Sequence, residues 1–267
     1  MSKYLQVFKI SLEQEFAYRL NFIMWRIRNV LQILVVFFLW DSIFYFQGRE
    51  LFGYDRDKIL TYVFGLIFVK AFVLSARAQD VAGEIGRGEI LNSLLKPLNY
   101  FKYWLTRDIS SKSLNLFFAV IEFGFLFIIL KPPFFFQTNP LIIFLFFLCI
   151  LIAMFIFYLI VFLVNAIPFW APEMSWGGHF LVTVILVEFL SGSLFPLDIL
   201  PQNIQNILNL TPFPYLIYFP LQVYLGKIEG LLILKGIIIS VVWVLVLWFV
   251  MNWIWKKGLK AYQAYGR

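Results

Sequence analysis

Charge is what this sequence has least of. Only 14% of its 267 residues are Asp, Glu, Lys or Arg, and 62% are hydrophobic. An ordinary soluble domain is about half apolar and about one quarter charged. A soluble fold of this length has nowhere to hide so much apolar surface, so lipid is the solvent for much of the chain. Cysteine is nearly missing as well. The single Cys149 sits in an apolar run, which excludes an intrachain disulfide and leaves a small core hydrophobe. The one histidine, His179, follows Gly177 and Gly178 with no second His or Cys to complete a metal-ligand set. Catalytic signatures are absent too. The chain holds no G-x-x-x-x-G-K-S/T phosphate loop, no G-x-S-x-G and no H-E-x-x-H. It therefore reads as neither an enzyme nor an ATP-binding chain, with no cofactor or metal of its own and no nucleic-acid partner.

What the sequence does have is long apolar runs. A crossing helix needs roughly 20 mainly apolar residues. Six stretches qualify: Asn29–Phe46, Ile59–Ala76, Leu114–Leu130, Leu141–Val164, Trp176–Phe195 and Leu231–Trp255. No alternation runs long enough for a membrane barrel. The expected fold is thus an all-α integral membrane protein with six transmembrane helices, forming one domain over residues 1–267. The start, Met1 to Asn21, lacks a signal-peptide pattern because Glu13 and Glu15 interrupt it. Phe8, Leu12, Phe16 and Leu20 instead recur every four residues, which predicts an amphipathic helix in the membrane interface within residues 1–28. Placing both termini in the cytoplasm puts fifteen Lys and Arg inside, including Lys9, Arg26, Arg77, Lys112, Lys256 and Arg267. Five fall outside: Arg49, Arg56, Lys58, Lys131 and Lys227. The positive-inside rule therefore favours cytoplasmic termini. Leu210–Leu225 is apolar, but it is short and carries Pro212, Pro214 and Pro220, each of which removes a helix hydrogen bond. It reads as re-entrant rather than crossing.

Two connecting segments are too patterned to be mere links. In the cytoplasmic stretch 77–112, Glu84, Arg87, Gly88 and Glu89 lead into Ile90, Leu91, Leu94, Leu95 and Leu98 on one helical face, and Pro97 ends the helix near Lys96. Such a helix either docks a soluble partner or lies flat on the inner leaflet, anchored by Tyr100, Phe101, Tyr103 and Trp104. In the outer stretch 191–230, Asp198 can cap a short helix given an apolar side by Ile204, Ile207 and Leu208. A proline-marked second piece then returns to Gly226. This hairpin either closes the outer end of a pathway or serves as a lid that only packs. Within the spans, Glu122 and Glu188 cost free energy at mid-bilayer. They either touch a polar or cationic substrate or make structural hydrogen bonds between helices. Asp41 and Lys70 lie nearer span ends, where Lys70 can snorkel. On residues alone, an ATP-independent secondary transporter or channel using Glu122 and Glu188 is the alternative function.

The run SGSLFPLDILPQNIQNILNLTPFPYLIYFPLQVYLGKIEG (191–230), with Gly192, Pro196, Asp198, Pro201, Pro212 and Pro214, resembles the signature of type-2 ATP-binding-cassette exporter permeases. GEIGRGEILNSLLKPLNYFKYWL (83–105) is similar to the cytoplasmic loop of the same family, and the spacing of spans agrees over nearly the whole chain. The resemblance implies an interfacial N-terminal helix, and an outer re-entrant helical hairpin between spans five and six. It also implies a coupling helix that docks on the ATPase through Glu84, Arg87, Gly88, Glu89, Leu91, Leu95, Lys96 and Pro97. The expected partners are a separate ATPase subunit carrying ATP and magnesium, a second permease chain (identical or paralogous), and membrane lipid. The expected setting is the plasma (inner) membrane of a prokaryote.

Overall fold

The computed structural model describes residues 3–17, 19–47, 50–174 and 177–262. Met1, Arg49, Trp176 and Arg267, which entered the sequence reading, lie outside the described residues.

Helix α1 (Lys3–Ala17) is followed by the long α2 (Arg19–Gln47) and a two-residue hairpin, β1 (Glu50–Leu51) with β2 (Tyr54–Asp55), in the register Glu50 to Asp55. Helix α3 (Arg56–Val69) packs back against α2 and ends in a π-helical turn, Lys70–Leu74. Extended backbone at Ser75 and Ala76 breaks the helix, and the chain leaves along Arg77–Gly86 at 47° to its former course. Short helices α4 (Asp80–Gly86) and α5 (Ile90–Leu94) lead into α6 (Tyr100–Leu130) and α7 (Pro140–Val164).

The two long helices start where their sequences dictate. Asn99 accepts from the backbone N–H of Lys102 at 3.0 Å, and Asn139 accepts from Leu141 at 3.0 Å, with Pro140 in the first turn, where its missing N–H costs nothing. After α7, α8 (Gly177–His179), a second π-helical turn (Phe180–Leu186) and α9 (Val187–Leu190) run on as one apolar helix. Helices α10 (Gln202–Leu208) and α11 (Tyr218–Tyr224) form the proline-marked hairpin, and α12 (Leu231–Ala261) closes the bundle. Helix α7 is its central post, packed by α12, α11 and the first π turn. Ala153, Ile156, Val161 and Phe162 of α7 are fully buried.

Among the described residues, four helices are long and apolar enough to cross a bilayer: Phe22–Tyr45, Tyr100–Leu130, Pro140–Phe169 and Leu231–Ala261. The bent pair Arg56–Leu74 and Arg77–Gly86 makes a fifth when taken as one span. The fifth expected span, Trp176–Phe195, corresponds to Gly177–Leu190, which falls short of the roughly 20 residues of a straight crossing. The serine–glycine turn at Ser191 and Gly192 cuts it off before Phe195.

The N-terminal helix forms, but its inward face differs from the expected apolar stripe. Ser11 and Glu15 are buried, Phe8 and Leu12 are half-buried, and Phe16 and Leu20 are exposed. The cause is the surface it meets, the polar end of α6. Ser110 Oγ donates to the Phe8 carbonyl at 3.1 Å, Arg107 donates to Gln14 at 3.0 Å, and Arg77 at the bend pairs with Glu15.

Candidate functional site

Breaking α3 leaves backbone groups without helical partners, and a buried polar cluster takes them up. Lys112 Nζ donates to the carbonyls of Val73 (3.2 Å) and Ser75. Asp108, one turn before it on α6, accepts from the Ala78 N–H at 2.9 Å, and Asn165 at the end of α7 donates to the Ala78 carbonyl at 2.8 Å. Lys112 is 1% exposed and Asp108 is not exposed at all. A lysine that deep is tolerated because two carbonyls and a carboxylate one turn away surround it. The segment 77–86 is thereby tied to α6 and α7.

Beyond the bend, α4 rests on the 3₁₀ turns Ile167–Phe169 and Pro172–Met174. Ile85 and Ile90 are buried, and Glu84 turns inward. It accepts from Tyr100 at 2.9 Å and from Ser93 at 3.3 Å, pinning α4 to α5 and to the start of α6. Arg87, Gly88 and Glu89 make the tip between α4 and α5. Gly88 takes φ +80°, a left-handed turn that suits glycine. Arg87 and Glu89 form an exposed ion pair at 3.0 Å, whose cation holds the Glu89 carboxyl below its ordinary range.

The expected apolar face of this segment is split. Ile90 points in, while Leu91 (44% exposed), Leu94 and Leu95 (84% exposed) point out, with exposed Lys96 and Pro97 just after them. Two of the four aromatic anchors of the leaflet-bound alternative, Tyr100 and Trp104, face inward, and Phe101 and Tyr103 are half-buried. Trp104 is fully buried, and Tyr100 stacks on Trp255 with ring centroids 5.2 Å apart.

The two acids expected within spans are both paired. Glu122 on α6 receives Arg26 Nε of α2 at 2.5 Å, and Arg26 also donates to Asn115 at 3.3 Å. Glu188 on α9 binds Lys70 Nζ at 2.7 Å and the Gln32 amide. Lys70 therefore does not snorkel; it is held inside by Glu188. Asp41 meets Arg56 in an exposed pair at 2.6 Å. The sequence reading found the two acids and missed Arg26 and Gln32 as partners. Their signal was legible, since Arg26, Asn29 and Gln32 recur every three residues along α2 where it enters its apolar run. A cavity of about 520 Å³ lies beside the second pair, lined among others by Trp25, Arg28, Lys70, Arg77 and Glu188.

At the other end of α3, the hairpin is folded into the bundle. Gly192 adopts φ +84°, where a Cβ would lie 2.7 Å from Tyr62 Oη and 2.9 Å from Tyr218 Cβ. Its carbonyl accepts from Tyr62 at 2.5 Å. Asp198 does not cap a helix: Pro201 precedes α10 with no side-chain cap. The Asp198 carboxylate instead accepts from Tyr54 at 2.9 Å and pairs with Lys227 at 3.1 Å, while Lys227 sits 3.2 Å from the Tyr54 ring centre. Pro196 and Pro214 are buried, Pro212 is half-buried and Pro201 is exposed. Helix α11 is the buried half, with Phe219, Leu221 and Val223 inside. In α10 only Leu208 is buried, and Ile204 and Ile207 face out. Among the described residues no cluster of three His, Cys, Asp or Glu could hold a metal.

No curated protein matches the chain. Residues 30–266 match the family described as ABC-2 family transporter protein, which covers every element from within α2 to the end of α12. A helical bundle with intramembrane ion pairs, a bent span and a buried proline hairpin thus has a family match over nearly its full length, and the chain belongs to the ABC-2 transporter family.

Proposed function

We propose that this chain is the permease subunit of an ATP-driven exporter, working as a dimer with a second permease chain and powered by a separate ATPase that binds the ATP and magnesium. It performs no hydrolysis itself. The membrane is crossed six times: by the four long helices, by the bent Arg56–Gly86 segment up to its break, and by Gly177–Leu190 continued into the hairpin. Both termini lie on the cytoplasmic side of a prokaryotic inner membrane.

One observation carries this reading. Leu91, Leu94 and Leu95 are exposed on an element whose other face is anchored through Ile85, Ile90 and Glu84. An apolar knob on a braced support is what docking a soluble motor requires, since force applied at the leucines reaches α6 and α7 through the Asp108–Lys112 joint. The pairing of Glu122 and Glu188 with cations argues against their serving as free proton carriers in an ATP-independent transporter. The deciding experiment is co-purification of tagged chain from native membranes. The unaltered chain brings down a Walker-motif ATPase, and Leu91→Asp inserts normally without it. Full-strength capture of the ATPase by Leu91→Asp refutes the docking assignment.

A further inference from the structure

We propose that the cavity between α2, the two π-helical turns and α9 binds the anionic head of an amphiphile at Arg28. Both π-helical segments among the described residues, Lys70–Leu74 and Phe180–Leu186, contribute to its wall. π-helical turns are rare and concentrate at functional sites, because the extra residue per turn redirects side chains at a cost in helix geometry. Two of them bordering one space of about 520 Å³ mark it as built rather than left over.

The charges on the wall define the ligand. Arg28, Lys70 and Arg77 face Glu15 and Glu188 across the same space. Lys70 is neutralised by Glu188 at 2.7 Å, and Arg77 by Glu15. Arg28 has no carboxylate within 4 Å among the described residues; its guanidinium lies 4.9 Å from the ring centre of Trp25, which is 55% exposed. One cation is left over, on a planar group suited to bidentate contact with phosphate or carboxylate. Trp25 beside it offers an apolar surface for the first methylenes of a chain. Apolar and cationic groups thus meet at one edge of the cavity, which is the arrangement an anionic amphiphile satisfies and a cationic one does not. Taking that amphiphile as the cargo rests on the permease function proposed above; the binding itself does not.

The test uses the full chain, purified in neutral maltoside micelles, with tryptophan fluorescence as readout. Three probes are titrated: dodecyl phosphate, dodecyl trimethylammonium and inorganic phosphate. Dodecyl phosphate is expected to bind at least about tenfold more tightly than either of the others. Arg28→Gln lowers its affinity about tenfold, the size of one charge-assisted contact, and Arg28→Lys, which keeps the charge but loses the bidentate fork, falls between the two. Equal or stronger binding of the trimethylammonium probe overturns the proposal, as does equal binding of dodecyl phosphate to Arg28→Gln. Inorganic phosphate competing as well as the alkyl phosphate overturns the amphiphile assignment. The comparison of probes on the unaltered chain decides the matter even if a variant fails to fold. A chain that co-purifies with an ATPase but shows no anion preference loses this site and keeps its function.

Discussion

Replacing Lys112 with Met isolates the joint at the bend. The methionine fills a similar volume, so the change removes charge and hydrogen bonds rather than packing. Two carbonyls, those of Val73 and Ser75, lose their donor, and Asp108 loses the cation one turn away in a site with no solvent exposure. Leaving a buried acceptor without its donor costs about 1–3 kcal/mol; with two carbonyls stranded and a cation removed from beside Asp108, the total comes to about 3–5 kcal/mol. Lys112→Met is therefore expected to lose about that much. The double variant Asp108→Asn with Lys112→Met recovers part of the loss, since the orphaned carboxylate is gone. Unfolding equilibria of the four proteins in mixed micelles form a double-mutant cycle, with an expected coupling of about 1–3 kcal/mol. Additivity within about 0.5 kcal/mol, or a Lys112→Met protein as stable as the parent, refutes the assignment of this cluster as the brace of the bend.

Other sites give equally direct outcomes. Gly192→Ala forces a Cβ into left-handed backbone and against Tyr62 and Tyr218, so its unfolding free energy falls by at least the ~1–2 kcal/mol of the backbone alone, read as an earlier melt. Gly236→Ala drives a methyl into the Phe219 ring and costs about 1–3 kcal/mol, visible as faster proteolysis of the hairpin. Glu122→Ala strands Arg26 in a buried site and destabilises by about 3–5 kcal/mol, whereas replacing both residues by Met is close to neutral in the same melt.

The parts of the fold driven by composition were legible in the sequence. Apolar runs of sufficient length became α2, α3, α6, α7 and α12, and the prolines of 210–225 kept that segment from becoming a straight span. The stretch expected to span at 176–195 forms a shorter apolar helix, Gly177–Leu190, because hydropathy does not register the turn at Ser191 and Gly192 that ends it. For α1 the apolar period was real but did not choose the buried face; the polar end of α6 did, through Arg107 and Ser110. In 83–97 the leucine pattern predicts a short helix and one forms at Ile90–Leu94, yet Ile90 is buried and Leu91 exposed because consecutive residues of a helix point about 100° apart. Asp198 looked like a helix cap from its neighbours along the chain. Its partners, Tyr54 and Lys227, are distant in sequence, and no local rule brings them together. The same holds for Asp108, Lys112 and Asn165, which look like ordinary helix residues until the break in α3 supplies groups for them to bind.

The central claim is that a nucleotide motor sits on the Leu91–Leu95 knob. Its most direct measurement is a single crosslink. In the double variant Cys149→Ser with Leu95→Cys, the knob carries the chain's one thiol, and a short thiol-reactive photocrosslinker is applied to native membranes. The expected product joins this chain to a Walker-motif ATPase, and ATP-bound and ATP-free states differ in yield. An introduced thiol that reacts only with impermeant reagents added from outside, or that captures no nucleotide-binding protein, contradicts the account.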